Sequence, residues 1–241
     1  MIKKFFCVLT LVSILASCRS TYKIFYPSYE DEKITKTSLK QLLKLKPSPS
    51  VVLRVPNTND NATSNSVRSQ EDRVFYSSVE KELLKAGLNV RDRGLINTSI
   101  VNAQSTDYSK IPALMNTDLI IEIVDLSRAV PYSTHEVTPI DRKTGVEKEK
   151  VTEPILYQSN GAFVEYKVVL VKTNEVAGLY KFYYKPCPNG CLLQEFKVVK
   201  KSKKKSSRVG EIREYVVVAS KIENFLNASV KDLVAALREA Q

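Results

Sequence analysis

Hydrophobic positions recur with a helical period in some stretches of the chain and alternate as strands do in others. Phe75, Val79 and Leu83 stand four residues apart, with Leu84 and Ala86 beside them and Glu80, Lys81, Glu82 and Lys85 turned elsewhere. This predicts an amphipathic helix ended by Gly87, a residue suited to a left-handed C-terminal cap. Residues 88–91 then alternate as a short strand, and Asp92 is placed to cap a second helix carrying Leu95, Ile96, Ile100 and Val101. The stretch 74–101 therefore reads as helix, strand and helix, the hub that the other elements cover. Upstream, residues 50–55 predict a strand ended by Pro56, and 57–69 a polar loop. A short helix carrying Leu39, Leu42 and Leu43 is expected to pack on the domain.

Downstream, residues 118–126 are apolar on both alternating faces, the pattern of an interior strand covered on two sides, with Glu122 as the exception. A carboxylate there is costly unless paired, which points to a salt bridge or to a site. Residues 161–185 predict a hairpin: Ala162, Val164, Tyr166, Val168 and Leu170 share one face, 172–175 turn, and 176–184 return. Tyr180, Tyr183 and Tyr184 read as core and edge packing, against a rival reading as sugar or partner contacts. Residues 192–199 and 213–218 form a second β pair. Ile222, Leu226, Val230, Leu233 and Leu237, with Phe225 and Val234 beside them, stripe a closing helix over 220–241, with Ser220 at its cap. Between these, 128–160 shows no sustained apolar period, contains Pro131, Pro139 and Pro154, and has a turn at 141–145. The elements add up to an α/β fold, a layered sheet with flanking helices and two hairpin excursions, 128–160 and 192–218.

The amino terminus changes the picture from a free domain to an exported one. Residues 1–18, MIKKFFCVLTLVSILASC, place two lysines before an apolar run too short to span a bilayer and then small residues, the pattern of a secretory signal. Leu15-Ala16-Ser17-Cys18 resembles the lipobox of bacterial lipoproteins, which implies cleavage before Cys18 and acylation of that cysteine. The expected division is a signal peptide over 1–17, lipid anchor and tether over 18–49, and one α/β periplasmic domain over 50–241. More than one acyl chain is needed for stable anchoring, so the implied lipids would hold the domain at a membrane without spanning it. Loss of Lys3 and Lys4 leaves 35 basic against 26 acidic residues, a net charge of +9. That excess favours anionic surfaces in an envelope, such as lipid head groups or wall glycans, or serves solubility alone; nucleic acid is not an expected partner.

Of four cysteines, Cys7 leaves with the signal and Cys18 is the acylation candidate, so Cys187 and Cys191 remain for a local disulfide across Pro188-Asn189-Gly190. Half a zinc site is the rival reading, with His135 the single histidine to complete it. Lys200, Lys201, Lys203, Lys204, Lys205 and Arg208 concentrate positive charge at the tip of the second β pair, as a solvated loop or an anionic-surface contact worth ~1 kcal/mol per charge near a charged leaflet. No aromatic residues interleave them, which speaks against single-stranded nucleic acid. Glu122, Asp92 and His135 are the candidate acids and bases for an enzyme, but they are scattered over different elements. No nucleophile elbow, metal cluster or phosphate loop accompanies them. The expectation is a protein without catalytic activity, cofactor or metal.

Residues 80–93, where a helix ends in Ala86-Gly87 and a strand ends in Val90-Arg91-Asp92-Arg93, resemble a motif of the curli-secretion lipoproteins and of the lipoprotein activators of penicillin-binding proteins. Asp118-Leu-Ile-Ile is similar to that family's strand, and 167–178 to its hairpin, across a resemblance covering 50–241. It implies an anticodon-binding-domain-like fold, a lipid-anchored place at the outer membrane facing the periplasm, and an envelope protein as partner. The curli branch also implies an oligomeric secretion pore built from two hairpins per subunit. Glu147-Lys-Glu-Lys150 and the lysine tip argue against this, because a charge near the bilayer midplane costs ~2–4 kcal/mol. The chain departs from the family in having Thr173-Asn174-Glu175 where the hairpin turn usually carries glycine, and in its paired cysteines.

Overall fold

A computed structural model describes residues 19–54, 66–94, 107–141, 143–196 and 219–239, with the side chains of 19–20, 66–73, 194–196 and 219 outside that description. Its elements are β1 (Arg19–Ile24), β2 (Glu32–Thr35), α1 (Thr37–Leu45), β3 (Ser50–Arg54), α2 (Ser66–Lys85), β4 (Asn89–Val90), β5 (Leu119–Ile140), β6 (Val151–Leu170), β7 (Glu175–Tyr184), β8 (Cys191–Phe196) and α3 (Ala219–Glu239). The class is mixed α/β. The sheet is largely antiparallel, with β3 lying parallel to both β4 and β5. Contacts divide the chain into two compact units.

The larger unit holds residues 29–130, 160–184 and 215–241. Its strands run β2, β7, β6, β5, β3 and β4. Side-chain alternation sends Val51 and Leu53, Leu119, Ile121 and Ile123, and Ala162, Val164, Tyr166 and Val168 to one face, where they are buried. Leu39 and Leu43 of α1, Phe75, Val79 and Leu83 of α2, and Ile222, Leu226, Val230, Leu233 and Leu237 of α3 pack against them in one core. The apolar stripes expected for these helices and for the hairpin are therefore the buried ones. On the opposite face Val52, Ile120 and Val169 form a second, smaller core with Tyr108, Ile111 and Leu114 from the 107–117 segment. The interior strand is thus covered on two sides, but only as far as Ile123; Val124 is 44% exposed.

Several boundaries differ from expectation. Helix α2 starts at Ser66, inside the expected loop 57–69, because helix continuity from the packed half outweighs polar composition there. Leu84 is exposed, while Glu82 is buried and paired with Lys85 at 2.6 Å, so the helix is rotated slightly from the predicted face. Helix α3 begins at Ala219, which places Ser220 in its first turn instead of before it. The 18–49 stretch, expected as anchor and tether, contains β1, β2 and α1.

Gly87 ends α2 as its position predicts. It adopts φ +81°, its amide donates to the Leu84 carbonyl at 2.9 Å, and the Leu88 amide donates to Leu83 at 3.2 Å, the paired bonds of a Schellman turn. Nothing lies near a Cβ added there, so Gly87→Ala isolates backbone strain. It should lower unfolding free energy by about 1 kcal/mol, read from the urea midpoint at unchanged slope. The next strand, β4, pairs with β3 as Ser50 with Asn89 and Val51 with Val90.

The smaller unit holds the outer halves of β5 and β6 with β1 and β8. The 128–160 excursion is a hairpin, as expected, its arms the outer halves of β5 and β6 and its turn one in which Asp141 accepts the Lys143 and Thr144 amides. Apolar alternation is absent there because Val151, Ile155 and Leu156 are exposed. Strand β1 lies between β5 and β8, its Thr21 opposite Ile140 and Gln194. Tyr22, Ile24, Tyr26, Tyr132 and Val137 are buried, with Tyr26 and Tyr132 edge to face at 6.4 Å.

The expected disulfide joins Cys187 and Cys191 at 2.06 Å, in the turn from β7 to β8. Cys187 at φ +48° and Gly190 at φ +86° make the reversal, and a Cβ on Gly190 would meet the Lys23 side chain at 2.6 Å. At a sequence separation of 4, the loop-entropy argument gives a loss of about 2 kcal/mol for Cys187→Ser/Cys191→Ser. Urea unfolding of the oxidised chain against the double variant measures it.

Candidate functional site

The face of the sheet opposite the helices is where chemistry gathers. Parallel pairing sets Arg54 directly beside Glu122, and on the other flank Lys167 of β6 reaches the same carboxylate. Arg54 Nη1 donates to Glu122 Oε1 at 2.7 Å, and the buried Tyr108 hydroxyl donates to that oxygen as well. The Arg54 guanidinium lies 5.3 Å from the Tyr108 ring centre, so one side chain holds both the charge and the aromatic lid. Glu122 is 6% exposed and engaged by three donors. This is the salt-bridge alternative of the two readings that the sequence left open for it.

The other two candidate acid–base residues have local duties. Asp92 Oδ1 accepts the Gly94 amide at 2.7 Å, as a cap does; the helix it was expected to cap, with Leu95, Ile96, Ile100 and Val101, lies outside the described residues. Arg93 beside it approaches Glu80 at 3.6 Å. Burial pushes the Glu80 carboxyl up, with the Arg93 charge opposing. His135 is exposed on β5, its Nδ1 3.1 Å from the Ile155 carbonyl oxygen. Among the described residues no group of three or more His, Cys, Asp or Glu is placed to hold a metal ion.

Beyond the charged row the open face becomes aromatic. Phe163 is paired across strands with Tyr183, and Glu165 with Lys181, whose Nζ stands 4.4 Å from the Phe163 ring centre and 5.6 Å from that of Tyr183. Tyr29 packs on Tyr183 at 5.2 Å. At the edge, Ile34 of β2 faces Leu179 of β7 and both are exposed. Tyr180, by contrast, points to the core and bonds Thr35 at 2.7 Å, while Tyr184 packs on Phe225, so the core-and-edge reading holds for these two.

Below the charged row the 107–117 segment forms a groove of about 570 Å³ with Leu42 and the 170–173 turn. Asn174 fixes that turn. It adopts φ +53°, taking the left-handed position that glycine would have filled, and its Oδ1 accepts the Tyr108 amide at 3.1 Å. The sequence reading missed this segment, because two short 3-10 turns carry no period. The charged row did leave a signal: Arg54 and Glu122 each follow three consecutive apolar residues.

Cys18 and the basic residues Lys200, Lys201, Lys203, Lys204, Lys205 and Arg208 lie outside the described residues, as does the expected strand 213–218. Among the described residues no helix is long and apolar enough to cross a membrane. No protein-family model matches the chain, and no curated protein matches it.

Proposed function

We propose that this chain is a non-enzymatic lipoprotein of a bacterial envelope, anchored through Cys18 at the outer membrane, whose periplasmic domain binds a protein partner in secretion, surface assembly or cell-wall synthesis. In this reading its fold is the anticodon-binding-domain-like one of the curli-secretion and synthase-activator lipoproteins. The observation that carries it is the second face of the sheet, where Phe163, Tyr183 and Tyr29 pack together and, on the far side of Lys181, Ile34 and Leu179 are exposed. Aromatic rings with apolar neighbours are what protein interfaces concentrate. The basic tip 200–208 would add contact with anionic lipid or glycan.

The test is affinity capture of the full chain from envelope membranes after cross-linking, beside an Ile34→Asp/Leu179→Asp variant. Both positions are exposed, so the fold should survive. One or a few envelope proteins should co-purify with the wild type and be lost with the variant. Equal recovery from both, or no reproducible partner, defeats the proposal.

A second reading, a subunit of an oligomeric outer-membrane secretion pore, draws on one observation: β5 and β6 run 22 and 20 residues, and the outer half of β6 carries exposed Val151, Ile155 and Leu156. Against it stand the Lys150–Glu136 and Lys148–Asp141 pairs on the same hairpin. Ring-shaped detergent-solubilised oligomers would decide for the pore.

A further inference from the structure

The groove under Tyr108 has the build of a ligand site separate from the open sheet face. Its floor is apolar and buried, made by Ile111, Leu114, Leu170 and Val171, and its volume of about 570 Å³ sits within the range of small-molecule pockets. Its walls are held in place. The Tyr108 amide is fixed on Asn174, its hydroxyl on Glu122, and the Val171 amide donates to the Asp118 carbonyl at 3.0 Å. At the mouth stands Met115, 82% exposed, a flexible thioether that can lie along an apolar guest.

Charge selects the guest. Lys110, paired with Asp107 at 2.9 Å, and Lys172 are the cations of the lining, and Asp118 is its carboxylate. That carboxylate is already engaged: its Oδ2 accepts the Ser50 amide at 2.5 Å and lies 2.6 Å from Lys46 Nζ. Thr173 stands at the same rim, as does Ser109, whose hydroxyl donates to Asp107 Oδ1 at 2.6 Å. An apolar trough with a cationic, hydroxyl-bearing mouth matches a guest that is apolar along its length and anionic at one end. We infer that the groove binds a single-chain fatty acid, its chain along Ile111, Leu114 and Leu170 and its carboxylate at Lys172.

The test uses the full chain in membranes and a palmitic acid analogue bearing a diazirine in its chain. After irradiation, digestion and mass spectrometry should place the adduct within 107–118 or 170–173. Excess palmitic acid should remove it, and the same excess of hexadecanol, equal in chain but uncharged, should leave most of it. Lys172→Glu and Met115→Asp, both at exposed positions, should each weaken labelling about tenfold with thermal unfolding unchanged. Adducts spread along the chain without competition, hexadecanol competing as well as the acid, or full labelling of both variants would each overturn the inference. None of these results depends on whether a protein partner binds the open sheet face.

Discussion

Glu122→Ala should lower the unfolding free energy by about 3 kcal/mol, the low end of the cost of removing one partner from a buried ion pair. Alanine leaves Arg54, Lys167 and the Tyr108 hydroxyl facing a space with no acceptor from residue 122. The effect stays at the low end because the Arg54 and Lys167 side chains are each 31% exposed and recover some water. Glu122→Gln keeps the volume and one acceptor, and should cost about half as much. Replacing the row together, as Arg54→Met/Glu122→Leu/Lys167→Met, should cost less than the single alanine, because no uncompensated charge remains. Urea unfolding of the three variants gives the order. A loss below about 1 kcal/mol for Glu122→Ala would mean the row is an ordinary surface cluster. Since Tyr108 anchors the 107–117 segment through this carboxylate, the alanine variant should also speed amide exchange there more than in α3.

How much could be read from the chain depends on which interactions are local. The α3 stripe and the alternation from Ala162 to Leu170 are written in consecutive residues, since each has one buried face throughout. Gly87 was legible because a left-handed cap needs a particular residue at a particular place. Strand β1 was not. Its partners are residues 137–140 and 191–196, more than a hundred positions away, and a six-residue segment near an expected anchor has no period of its own. The outer halves of β5 and β6 were legible as a hairpin excursion but not as strands residue by residue: neighbours such as Ile155 and Leu156 are both exposed, so no alternation marks them. Glu122 stood out as costly, but its three donors come from β3, β6 and the 107–117 segment, and only the register brings them to it. The cysteine pair needed no register, being closed within one turn.

Above pH 10 the protein should lose about 2 kcal/mol of stability over two pH units through Tyr166 alone. Burial holds the Tyr166 hydroxyl far above its ordinary value of 10.0, and the hydrogen bond with Ser229 opposes that only in part. Ser229 Oγ donates to the Leu226 carbonyl at 2.9 Å, so it could turn toward a phenolate only by giving up that bond. A phenol whose pKa is raised on folding binds its proton more tightly in the native state. Its stabilisation is therefore complete below the unfolded value and declines by about 1.4 kcal/mol per unit as pH rises toward the folded one. Burial also raises Tyr180, against the Thr35 hydrogen bond, and Tyr26, so both push in the same direction. Tyr166→Phe separates this titration from general alkaline damage. It should cost about 1 kcal/mol at neutral pH, from the lost hydroxyl bond, and should flatten the decline above pH 10. The two stability curves should therefore converge or cross in alkali. Parallel curves would show that Tyr166 gives up its proton as readily in the native state as in the unfolded one, and that the alkaline limit of the fold lies elsewhere.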